Sequence, residues 1–304
     1  MASLRDIKRR IRSVNSTRQI THTMEMVSTT KIMRALQLAD EALPYKEAMV
    51  AMLSNLAARG ATYGQQLLGD NRDTSAALVI AVASDRGLAG GFNIQVQRAA
   101  LGQIRELQAQ GLSVEVVTCG KKATEYFGYQ GFEPVLSYDG ISAEPTYQEA
   151  NQIAHYAIEG YVRGSLGQVE IWYQHARSRV EQELTHEQVL PIYRETLAMP
   201  NQPREGEAVS PIELAHHSTF EFDPSPDEVL TAIIPAYVRT VIHHALIDSA
   251  AAEHGARRRA MQAATENADE IIETLSREYN RIRQSSITTE LNEIVGGAQA
   301  LEES

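Results

Sequence analysis

The chain has 304 residues, 43% hydrophobic and 22% charged, enough to bury a core in one or two domains. A formal net charge of −11 and an aromatic share of 6% exclude a nucleic-acid coat and lean toward long helices. A single cysteine, Cys119, excludes an internal disulfide and fits a reducing compartment. No run approaches the roughly 20 apolar residues of a membrane span, and no apolar h-region follows the basic start, so no secretory signal is expected.

Residues 2 to about 57 read as one long helix. They contain no glycine, and Pro44 is their only proline. Leu4, Ile7, Ile11 and Val14 give a 3-4-3 seam, which Ile20, Met24, Val27, Ala35 and Leu38 extend with smaller residues. At about 1.5 Å per residue the rod is on the order of 80 Å long. Residues 1–40 carry eight basic residues (Arg5, Lys8, Arg9, Arg10, Arg12, Arg18, Lys31, Arg34) against Asp6, Glu25 and Asp40. That basic start suits an acidic partner or a solvated helix face. Gly60, Gly64, Gly69 and Asp70 punctuate a loop.

From residue 75 to about 222 strands and helices alternate. Ala77–Ala83 is a continuous apolar run, as in a strand buried on both faces. A glycine-bearing turn leads into a helix over about 92–110. Strands over 113–118, 134–138, 168–173 and 180–190 and helices over 121–128 and 146–163 complete a small α/β domain with a largely parallel sheet. Residues 200–226 are rich in proline, glycine and acid. Ser225-Pro226-Asp227-Glu228 is a helix start. The helix beyond it carries a stripe at Ala264, Ala268, Ile271, Leu275, Tyr279 and Ile282. The expected fold class is α/β: a long antiparallel coiled coil of the N- and C-terminal helices with an inserted Rossmann-like α/β domain. The segments are 1–65, 70–222 and 225–304.

Three motifs resemble the γ subunits of F-type ATP synthases. Ser13-Val14-Asn15-Ser16-Thr17-Arg18-Gln19-Ile20-Thr21 leads into Met24-Glu25-Met26-Val27-Ser28. Ser84-Asp85-Arg86-Gly87-Leu88-Ala89-Gly90-Gly91-Phe92-Asn93 is similar to the family's signature turn. Tyr279-Asn280-Arg281-Ile282-Arg283-Gln284-Ser285-Ser286-Ile287-Thr288 runs on to Glu290-Leu291-Asn292-Glu293-Ile294-Val295-Gly296-Gly297-Ala298. The resemblance implies a non-catalytic central-stalk subunit, one copy per complex. Its coil would rotate within a hexamer of α and β subunits, and its other end would meet the ε subunit and the membrane ring of c subunits. It also implies a peripheral location on the cytoplasmic face of an energy-transducing membrane. Matching positions give the subunit contacts: Arg283 and Gln284 with Thr288 and Glu290 toward β, Met24 at a coupling position, and Asp85 and Arg86 in the turn that meets lower β. Two departures stand out. Ala89 replaces a frequent cysteine, and 200–226 is longer than in many members.

The residues also bear other readings. The turn follows a strand and precedes a helix, as a nucleotide loop would, but Gly87, Gly90 and Gly91 do not make G-x-G-x-x-G and no P-loop lysine follows. His216-His217 and His243-His244 are adjacent pairs, which point about 100° apart on a helix and do not suit a metal. No cofactor, metal or nucleic acid is therefore expected. A stand-alone coiled-coil scaffold and a nucleotide-dependent α/β enzyme are the alternatives.

Overall fold

The computed structural model describes residues 4–58, 76–192 and 226–302. The elements are α1 (Leu4–Ala58), β1 (Ala76–Val82), α2 (Phe92–Ala109), β2 (Ser113–Cys119), α3 (Lys121–Tyr129), β3 (Leu136–Tyr138), α4 (Tyr147–Val162), β4 (Gln168–His175), β5 (Glu183–Leu190) and α5 (Pro226–Glu302). Contacts gather them into two compact units. One is residues 28–257; the other joins the start of α1, up to residue 27, to α5 from residue 258 onward.

In the larger unit, the sheet order is β3-β2-β1-β4-β5. β3, β2, β1 and β4 run parallel, and β5 closes the edge antiparallel to β4. β1 is central because nearly every side chain on it is apolar, so it can bury both faces. Its period of two divides the core. Leu78, Ile80 and Val82 pack with Met49 and Leu53 of α1, Ile153 and Tyr161 of α4, and Val238 and Ile242 of α5. Ala77, Val79 and Ala81 face α2 and α3 through Ile104, Leu107 and Phe127. The result is helices on both faces of a mostly parallel sheet. Thr146 starts α4 with a capping box: its side chain accepts from Gln148 N–H, and its own N–H donates to Glu149.

Two expected strands are shorter than their patterns. Pro134 has no N–H for the ladder, and β3 begins only at Leu136. In the 180–190 run, Ser178 Oγ accepts the N–H groups of Val180 and Glu181, so a side-chain turn takes the place of ladder pairing before Glu183.

α1 and α5 pack antiparallel in each unit. In the sheet unit, Ala35 joins Ala251, Ala252 and Ala256, and a Cβ on Gly255 would come within 3.2 Å of Ile32. Only small residues allow that approach. In the helix-pair unit, Arg18 donates to Asp269 at 2.8 Å and the hydroxyls of Thr21 and Thr265 meet at 2.7 Å. The seam differs from its apolar reading. Ile7 and Ala35 are buried and Leu4, Ile11, Val14 and Met24 half-buried as expected, but Ile20, Val27 and Leu38 are exposed and Thr21, Ser28, Ile32 and Ala39 are buried. On α5, Ile271 is likewise exposed and Ile272 is the half-buried residue. The 3-4 spacing holds, but polar residues that find partners across the pair occupy several of its positions. Pro44 and Pro235 lie inside α1 and α5. The 60–70 loop, the 200–225 stretch, Ser225 and His216-His217 lie outside the described residues.

Candidate functional site

The signature turn is built by the end of β1. Ala83 N–H extends the parallel ladder to the Cys119 carbonyl at 2.8 Å, and Asn93 Oδ1 then accepts from the backbone N–H of Ser84 at 2.8 Å. Leu88 (φ 67°) and Gly90 (φ 59°) take left-handed conformations that fold the chain back into α2. Gly120 passes beneath at φ 93°, where a Cβ would sit 2.1 Å from the Ala83 carbonyl oxygen, so only glycine fits.

Asp85 is a clasp within this turn. Its carboxylate accepts N–H bonds from Lys121 (2.9 Å), Gly140 (2.8 Å) and Ser142 (3.0 Å). Burial alone would raise its pKa, but these bonds, with the Ser142 hydroxyl, outweigh burial and hold it below the ordinary value. The clasp bears on the nucleotide reading. Lys121 N–H opens α3 at the carboxyl end of the sheet, where a phosphate would seek donors, and a fixed carboxylate already holds it. Arg86 points outward, and only its carbonyl is engaged. Ser84 Oγ and Arg257 Nη2 both donate to it, the latter at 3.4 Å, and Arg257 also reaches the Gly87 carbonyl at 3.4 Å. Arg257 is itself paired with Glu253 at 2.5 Å, and both are buried in α5. This pin was not read from the sequence. A Glu-Arg pair four residues apart beside the Ala250-Ala251-Ala252 run was its only signal.

The second candidate surface belongs to the helix-pair unit. Arg283, Gln284, Thr288 and Glu290 are all exposed on α5. Thr288 Oγ1 donates to the Gln284 backbone carbonyl one turn back. Ile287 (47% exposed), Leu291, Ile294 and Val295 lie among them. Met24 is half-buried on α1. Asp85 and Arg86 belong to the other unit, so the structure does not gather the seven expected residues into one site. Nor do the histidines form one. His243 sits edge-on to Tyr147 at 5.4 Å, with burial lowering its pKa against the opposing pull of Glu149. His244 lies near the Lys46–Glu187 pair. Among the described residues no group of three or more His, Cys, Asp or Glu is placed to hold a metal, and no helix is long and apolar enough to cross a membrane.

A family model for ATP synthase matches residues 3–301. The ATP synthase gamma chain of Chlorobium phaeobacteroides is 38% identical over 306 aligned positions, covering 99% of both chains. That of Corynebacterium jeikeium is 34% identical, covering 100% of this chain and 99% of its own. This chain belongs to the ATP synthase gamma-chain family. Solved structures share the fold at low identity. A chain of the Euglena gracilis mitochondrial ATP synthase OSCP/F1/c-ring structure superposes with a TM-score of 0.61 at 16% identity, covering 98% of this chain and 94% of that one. A chain of the Tetrahymena thermophila central stalk/c-ring structure gives 0.55 at 18%, covering 81% and 99%. As a gamma chain, the protein is part of an enzyme complex.

Proposed function

We propose that this chain is the central stalk of an F-type ATP synthase, turning inside a hexamer of α and β subunits and coupling transmembrane ion flow to ATP synthesis or hydrolysis at β-subunit sites. It carries no catalytic group of its own. One copy serves each complex, with the ε subunit and the ring of c subunits as further partners, on the cytoplasmic face of the membrane. Segments 1–65 and 225–304 form the coil and 70–222 the α/β domain. The observation that carries this reading is the exposed end of α5, where Arg283 and Gln284 stand out from the helix with no side-chain partner among the described residues. A guanidinium fork beside an amide suits carboxylates or carbonyls on β subunits that pass in succession. Met24 and Arg86 supply further contacts. Asp85 acts by holding the turn that presents Arg86.

Arg283→Ala with Gln284→Ala tests it. In the assembled complex, ATP turnover is expected to fall about five- to tenfold, the loss of one or two charge-assisted hydrogen bonds. The unfolding midpoint of the chain should stay unchanged. Unaltered turnover and coupling would remove these residues from the mechanism.

A further inference from the structure

A groove between α4 and α5, in the sheet unit, has no role in the reading above. Asn151, His155, Glu159 and Arg163 recur every fourth residue and line one wall, with Val162 beside them. Pro235 and Arg239, again four apart, form the other wall of an open groove of about 410 Å³.

The charges in the groove are unevenly satisfied. Glu159 is engaged twice from its own helix, by His155 Nε2 at 3.2 Å and by Arg163 Nη2 at 3.2 Å. Arg239 has no carboxylate among the described residues. Its Nη1 makes one long bond, 3.5 Å to the Asn151 side-chain oxygen, and its Nε is buried without an acceptor. A buried, unsatisfied guanidinium N–H in an open groove calls for an acceptor supplied from outside.

We propose that this groove docks an acidic segment of another subunit of the complex. One carboxylate would take the Nε and Nη donors of Arg239, and a neighbouring apolar side chain would pack on Pro235 and Val162, which is 47% exposed. The charge arrangement selects this occupant. A phosphate would bring a second negative charge toward Glu159, whereas a single carboxylate matches Arg239, the groove cation without a carboxylate among the described residues. The volume takes two or three side chains of an extended segment and not a helix, whose diameter is about 10–12 Å.

The test places a photoreactive benzophenone amino acid at position 162 of the full chain in the purified, assembled complex. After illumination the cross-linked peptide is sequenced. The expected product joins Val162's position to a segment of a different subunit with an Asp or Glu within a few residues. Its yield should fall at least fivefold with Arg239→Gln, less with Arg239→Lys, and fall as salt is raised. A cross-link confined to this chain, to a second copy of it or to lipid would overturn the proposal. So would a yield indifferent to Arg239→Gln or absent in a complex that turns over ATP normally. In that last case the central-stalk reading stands and only the groove assignment fails.

Discussion

The two compact units dispose of their apolar residues in opposite ways. In the sheet unit Leu78, Ile80, Ile104, Phe127, Ile153 and Tyr161 are buried to within 2% exposure, and the central strands β1 and β4 are almost wholly buried. In the helix-pair unit Ile7, Met261 and Ala268 are buried, while Ile20, Met26, Val27, Ile271, Ile287, Leu291, Ile294 and Val295 stand about half exposed or more. Two helices can close one seam; the remaining apolar faces stay wet unless another surface covers them. The difference teaches how much of each unit is held by its own packing. The sheet unit closes a core of its own, although it too leaves side chains such as Leu88, Tyr129 and Val162 exposed, whereas the helix pair closes a single seam.

The sharpest way to break that contrast is to cut a large side chain from the core of the sheet unit. Phe127→Ala removes a ring that touches Phe132 and Tyr126 edge-on and is wholly buried between α3 and the sheet. The expected loss is about 3–5 kcal/mol, read as a drop in the denaturant midpoint at constant slope. A loss below about 1 kcal/mol would mean the sheet unit is far looser than its packing.

Acid should act on the same unit with the next largest effect. His254 is buried in α5, and desolvation first, then the charges of Arg257 and Lys31, lower its pKa from 6.5 to about 4; a hydrogen bond to the Ala143 backbone opposes them. The unfolded chain therefore binds a proton there more readily than the folded one. The contribution is fully present above about pH 6.5 and is lost as pH falls toward 4. His243, lowered by burial, adds in the same direction. Between pH 7 and pH 4.5 the unit should lose on the order of 2 kcal/mol through His254, and His254→Gln should flatten that slope in urea titrations run at several pH values. A slope of equal size in the variant would assign the acid loss to other groups.

How much of this was legible in the sequence follows the same division. The strands could be read because β1 is apolar on both faces and the parallel pattern leaves few alternatives. The helix starting at Pro226 could be read from its proline and acids. The seam of α1 was legible at Leu4, Ile7, Ile11, Val14, Met24 and Ala35 but missed at Ile20, Val27 and Leu38, because hydrophobicity points to them where Thr21, Ser28 and Ala39 hold the buried positions, and one chain's pattern does not reveal that Thr21 meets Thr265. The residues at Arg283 and Gln284 were reached by resemblance to a motif. The Arg257 pin and the Asp85 clasp were not reached, because each joins groups dozens of residues or more apart, and local spacing carries no trace of such pairing.

The smallest expected effect is the one that isolates the enclosing partner. Leu291 is 55% exposed and Ile294 68% exposed at the end of α5. Leu291→Ser with Ile294→Ser removes apolar groups that already face water, so the chain's own unfolding free energy should move by less than about 0.5 kcal/mol. In the assembled complex the same groups would be covered, and each would withdraw apolar area worth about 25 cal/mol per Å². The double variant should therefore release from the complex at lower denaturant concentration than the native chain while melting like it alone. Equal behaviour in both settings would mean these side chains stay wet after assembly, and the contrast between the two units would then reflect a solvent-exposed helix end instead of an interface.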